Sequence, residues 1–293
     1  MLLSHPLVFD PSSGTYTVPD GLTVWLGHPS VVLGCLALLA GYFWLVGPGR
    51  ARFAGSAPVH PARQAAFVAG VAVMFAALSG PIHEYGDCCL FSVHMVQHLL
   101  VTLVMPPLLL AGMPAWAFRP LARMRVIGPL GRRLTRAVPA FLLFNVLFAV
   151  SHVVPVYELQ MRNHDFHIAL HLAYMVTAVI MWWPVCGPLG VPGWPRLAPP
   201  LAMLYLFFQI VPGSLVGAII ALAPEPLYPW YAEAPRVTEM TALYDQQLGA
   251  LIMWVAGGFF WVFALTTVFL IWAAREEDEA RGPLRGEARA PGR

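Results

Sequence analysis

Seven apolar runs, each long enough to cross a bilayer as one helix, follow one another along the chain at about 28–46, 64–82, 91–113, 138–157, 165–186, 199–222 and 247–274. Of all residues 58% are hydrophobic and only 11% are charged, where an ordinary soluble domain carries about a quarter charged. The expected fold is therefore all-α: a polytopic membrane protein with seven transmembrane helices forming one bundle over 28–274. A turn-rich segment, 1–27, precedes the bundle. A charged tail, 275–293, follows it and is expected to be disordered.

Arginine placement orients the bundle. Every basic residue is an arginine, 17 in all. Arg50, Arg52 and Arg63 fall between spans one and two, and Arg119 through Arg136 between spans three and four. Arg196 lies between spans five and six, and Arg275 onward follows span seven; only Arg162 and Arg236 fall on the opposite side. The positive-inside rule then puts the N-terminus outside and the C-terminus inside. A formal net charge of +2 argues for no nucleic-acid partner; the arginines set orientation and can hold anionic membrane lipids. The first 27 residues lack a basic n-region and a small-residue cleavage site, so no secretory signal is expected.

The chemistry of the chain lies in its histidines. His94 and His98 sit four apart in the first two turns of the third apolar run, on one helix face. His152 lies near the outer end of span four, while His164, His167 and His171 form a stripe at the start of span five. At about 1.5 Å per residue these imidazoles reach similar depths in the outer half of the membrane. Ionisable groups there are candidate functional sites, and neutral imidazole is the commonest metal ligand. The candidate ligands are His94, His98, His152, His167 and His171. His83, Cys88, Cys89, Met95, His164 and Asp245 are possible additional ligands or supports, although Met95 diverges from its neighbour His94 on the helix. Such donors suit copper or zinc rather than magnesium or calcium.

Other features bear on structure. Cys88 and Cys89 can form a vicinal disulfide, ligate a soft metal or remain thiols, whereas Cys35 and Cys186 lie too far apart to bridge. Asn145 and Gln209 suit hydrogen bonding between helices. Kinks are expected at Pro106-Pro107 and Pro212-Gly213. The aromatic residues of the 223–246 loop suit an interfacial belt, a lid or a partner surface. His5 and His28, each before a proline, read as turn residues, and His60 falls on the inner side. No paired acid and base or activated nucleophile stands out, so an enzyme is the least expected class; a zinc-dependent membrane hydrolase is the form it would take.

The stretch SVHMVQHLLVTLVMPPLLLAGMP, Ser92–Pro114, resembles the most recognisable motif of the seven-span CtaG family of cytochrome c oxidase assembly proteins. Ser151-His152 through Tyr157, His167 and His171 leading to Trp182-Trp183-Pro184, the Tyr228-Pro229-x-Tyr231 segment, and Asp245-Gln246-Gln247-Leu248-Gly249 through Trp254 resemble it too. The resemblance spans about 70–272. It departs at Ser151, where the family tends to have tryptophan before the histidine, and Cys88 and Cys89 match no family position. The resemblance implies a multi-pass protein of the bacterial plasma membrane that supplies copper, as Cu(I), to a haem-copper oxidase during assembly without being an enzyme. Its partners would be oxidase subunits and an extracytoplasmic copper donor, and its functional positions His94, His98, His152, His167, His171 and Asp245. The alternatives are a haem-binding redox or transfer protein and a metal-free assembly scaffold.

Overall fold

The computed structural model describes residues 8–10, 15–17 and 25–287. A short antiparallel hairpin, β1 (Val8–Asp10) with β2 (Thr15–Thr17), precedes an all-helical body. His5 and residues 288–293 lie outside the described residues.

Six helical stretches are long and apolar enough to cross a membrane. The first is α1 (Pro29–Val46); the second joins α2 (Pro61–Leu78) to α3 (Gly80–Cys88). The third joins α4 (Phe91–Leu99) through a π-helical turn, Leu100–Val104, to α5 (Met105–Gly112). After two short arginine-bearing helices, α6 (Ala115–Arg123) and α7 (Ile127–Leu134), comes α8 (Ala137–Ser151), bent 80° from α7. Counting that bent pair as a crossing gives seven. Then follow α9 (Val154–Arg162), α10 (His164–Cys186), α11 (Pro199–Ala221), the short α12 (Pro229–Glu233), and α13 (Ala242–Leu251), which a second π-helical turn, Ile252–Ala256, joins to α14 (Gly257–Glu287).

Three boundaries differ from the sequence expectation. The fourth span was expected to run over 138–157, but α8 stops at Ser151 and α9 starts afresh at Val154. A helix continuing through Pro155 would lose an N–H and press the proline ring against the Ser151 carbonyl. The polar stretch after Pro81 is itself a helix, α3, set off from α2 by Ser79 in extended backbone and Gly80 at φ +68°. From residue 275, where disorder was expected, α14 continues to Glu287, with the Trp272 indole donating to Glu276 four residues on at 2.9 Å.

The kink expected at Pro106-Pro107 takes the form of the π turn just before them. Pro106 has no N–H for the Thr102 carbonyl four residues back. The Trp182 indole of α10 donates to that carbonyl instead, at 2.9 Å. One buried orphan is thereby satisfied, and the third span is tied to the fifth.

The arginine-bearing loops meet at one end of the bundle. Arg63 donates to the Ala111 and Met113 carbonyls at the end of α5, at 2.9 and 2.8 Å. That places a cation where helix carbonyls lack partners. The opposite end is closed by α3, α9 and α12, and it holds the candidate ligand histidines.

Candidate metal centre

The histidine-bearing helix α4 is anchored at its first turn by α13. Asp245 accepts from the Phe91 amide at 2.7 Å, the Ser92 amide at 3.2 Å and the Ser92 hydroxyl at 2.5 Å. A carboxylate suits the positive end of a helix. Glycine makes the approach possible: a Cβ on Gly249 would stand 2.4 Å from the Phe91 ring. Asp245 thus fixes the register of α4 and leaves its own oxygens committed to that helix, so its place here is as a support.

One turn further along α4, His94 is fully buried. Its Nε2 lies 2.9 Å from Nε2 of His98. His171 arrives from α10, and one ring nitrogen from each of His94, His98 and His171 falls within 4.8 Å of the others. All three residues are buried, and Nε2 of His171 has no hydrogen-bond partner. The three rings converge on a common point because His94 and His98 share a face of α4 while the third and fifth spans pack side by side.

The centre has a carboxylate that sequence reasoning missed. Asp87 on α3 lies 3.4 Å from Nδ1 of His94, 3.2 Å from Nε2 of His167 and 3.3 Å from Nδ1 of His83. A carboxylate behind a ligating imidazole orients the ring and makes it a better donor. Gly86 lets α3 come this close, since a Cβ there would stand 3.1 Å from the His94 backbone. The signal available in the sequence was the spacing of His83 and Asp87, four apart and so on one helical face.

The other candidate residues separate into groups. His167 faces Asp87, with its ring 4.3 Å from that of His171, and so borders the centre. His83 contacts Asp87, Gln97 and the ring of His28, which in turn lies 3.2 Å from Glu84. His152 stands apart from the three-histidine group, its ring 6.5 Å from that of His98. His164, at the first residue of α10, is exposed and does not join the stripe's other members. Met95 is buried beside Phe91, Tyr157 and Met253 rather than among the three imidazoles. Cys88 and Cys89 are joined in a vicinal disulfide, which takes both sulfurs out of the thiolate form a metal would need.

The loop before α13 closes the histidine end. Tyr231 donates to the Gly86 carbonyl at 2.7 Å, the Trp230 indole to the Asp87 carbonyl at 3.0 Å, and Tyr228 to the His152 carbonyl at 2.9 Å. Tyr157 of α9 packs against Tyr228, ring centroids 4.1 Å apart. Burial pushes the phenols of Tyr157, Tyr228 and Tyr231 up from their ordinary value, so all three remain protonated donors. Of the three roles the sequence allowed for the 223–246 loop, these contacts of Tyr228, Trp230 and Tyr231 match that of a lid, whereas Tyr244, the loop's third tyrosine, is exposed.

The chain is similar in sequence to known proteins. Over 88% of its length the chain is 26% identical to an uncharacterized protein of Mycobacterium leprae, and over 90% it is 24% identical to uncharacterized proteins of Mycobacterium bovis and Mycobacterium tuberculosis. It spans 41 to 42% of the length of those curated relatives. No solved structure matches the chain. A family model described as cytochrome c oxidase caa3 assembly factor (Caa3_CtaG) matches residues 40–275, which takes in every span from the middle of α1 to the membrane-crossing part of α14, and the chain belongs to that family.

Proposed function

We propose that this chain binds Cu(I) at His94, His98 and His171 and passes it to a haem-copper oxidase as the oxidase is assembled. The observation that carries the reading is the convergence of three buried imidazole nitrogens within 4.8 Å, with Asp87 behind His94. Neutral imidazoles in an apolar surrounding suit a soft, monovalent ion, which needs fewer and softer donors than magnesium or calcium. The His94 and His98 nitrogens at 2.9 Å can share one N–H···N hydrogen bond, and an ion taking both lone pairs requires that proton to move to Nδ1 of its own ring or to be released to solvent.

The arginine bias supports an orientation in which this centre lies in the half of the membrane away from the cytoplasm. The ion would come from an extracytoplasmic donor and leave by ligand exchange toward an oxidase subunit alongside, at comparable depth in the bacterial plasma membrane. The copper is cargo here, and no step in its transfer needs catalysis. The lid formed by Tyr157, Tyr228 and Tyr231 keeps water from competing while the ion is held.

Haem is a poorer fit. The rings of His94, His98 and His171 pack with centroids 4.6 to 5.8 Å apart, which leaves no slot for a porphyrin between two axial imidazoles. Copper analysis of the purified protein after Cu(I) loading, set beside a His94→Ala/His98→Ala double variant, tests the proposal. Copper retained by the first and largely lost by the second is expected. Equal, near-zero copper in both would overturn it. Alanine variants that lower stability while leaving oxidase copper content unchanged would point to a metal-free scaffold.

A further inference from the structure

Below the three-histidine centre, toward the middle of the bundle, lies a second chamber of about 50 Å³. His98, His152, Met95 and Met253 line it, as do Asn145 and Gln209, hydrogen-bonded to each other at 2.9 Å. Much of the remaining wall is aliphatic or aromatic. Gly213 of α11 and Gly257 of α14 also line it, and an added Cβ at either would meet nothing within 4 Å.

His152 is the informative wall residue. Its Nδ1 lies 2.7 Å from the Phe148 carbonyl, an acceptor, so the proton sits on Nδ1. Nε2 therefore presents a bare lone pair, and that atom is buried without a hydrogen-bond partner. Leaving a buried acceptor unmatched is unfavourable, a penalty that a ligand in the chamber would remove. The ligand class follows from the neighbours. Two thioethers and an imidazole are soft donors without charge, which suits a monovalent soft metal ion and gives a hard cation almost nothing to bind.

We infer that this chamber is a second Cu(I) station, with His152, Met95 and Met253 as its donors, and that His98 links it to the first. The inference rests on the copper reading of the three-histidine centre. The His98 ring lies 4.6 Å from that of His94 and 6.5 Å from that of His152, so one imidazole borders both stations. Transfer between them is ligand exchange: bonds to His94 and His171 are given up as bonds to His152 and sulfur form, with no change in oxidation state. A nitrogen-rich upper station and a sulfur-containing lower one would give the ion a directed route into the membrane.

The test is Cu(I) titration of the full chain in detergent under reductant and a competing Cu(I) chelator, with copper-edge X-ray absorption of the saturated protein. The expected result is two ions per chain, with sulfur in the coordination shell of the wild type. A Met95→Leu/Met253→Leu variant, which conserves side-chain volume, should fall to one ion with nitrogen ligands only. A His94→Ala/His171→Ala variant should keep one ion and its sulfur signal. One ion with nitrogen-only ligation in the wild type, unchanged by the methionine substitutions, would overturn the second station and leave the first standing. No copper in the wild type would overturn both. The wild-type absorption spectrum decides the question even where a variant fails to fold.

Discussion

Replacing Asp245 should destabilise the protein by removing the acceptor that anchors α4. In Asp245→Ala, the Phe91 and Ser92 amides lose partners at 2.7 and 3.2 Å in a buried place that water does not reach. The Ser92 hydroxyl loses its acceptor too, but it can rotate where an amide cannot, so only the two amides are counted. Two buried N–H groups without acceptors cost about 1–3 kcal/mol each. Relief from burying the carboxylate offsets part of that, leaving a net loss of roughly 2–4 kcal/mol. Asp245→Asn keeps one carbonyl oxygen for one amide and should lose about half as much. The assay is unfolding in detergent followed by circular dichroism, with Cu(I) affinity measured alongside, because His94 sits one turn from the anchored residues. A variant order of wild type, Asn, Ala in falling stability is expected. An alanine variant within about 0.5 kcal/mol of the wild type would refute the capping role, since that is the scatter of ordinary surface substitutions.

Asp87→Asn should lower Cu(I) affinity about 10- to 100-fold in a chelator competition while the chain stays folded, because the carboxylate orients His94 without ligating the ion; unchanged affinity would remove Asp87 from the centre. Trp182→Phe leaves the Thr102 carbonyl without its donor and should cost about 1–3 kcal/mol of stability in thermal unfolding, with copper stoichiometry unaltered. Thiol labelling of the unfolded chain without reductant should mark Cys35 and Cys186 only, and reductant should add Cys88 and Cys89; all four labelling from the outset would contradict the disulfide.

Apolar run length sufficed to find the spans, because in lipid a helix must satisfy its own backbone and needs about 20 apolar residues to cross. The helical restart at Gly80 did not show in that signal. The 81–89 stretch is polar enough to read as a connection, although it folds into α3 and turns Asp87 inward. Spacing and depth brought out His94, His98 and His171, since those properties follow from helical rise and period. What they could not fix was the rotation of each helix about its own axis. His152 shares the depth of the others yet faces the lower chamber, and His164 shares the stripe of His167 and His171 yet sits on the exposed first turn of α10. Asp245 drew notice as a rare carboxylate near a span, but its partner is the start of α4, 154 residues away along the chain, and periodicity carries no information about such a pairing.

The most direct test of the copper reading is anomalous diffraction at the copper edge from crystals of the Cu(I)-loaded protein. The expected result is a peak between the ring nitrogens of His94, His98 and His171, within bonding distance of each ligating nitrogen. Copper density confined to surface histidines such as His164, with none among the three buried imidazoles, would contradict it.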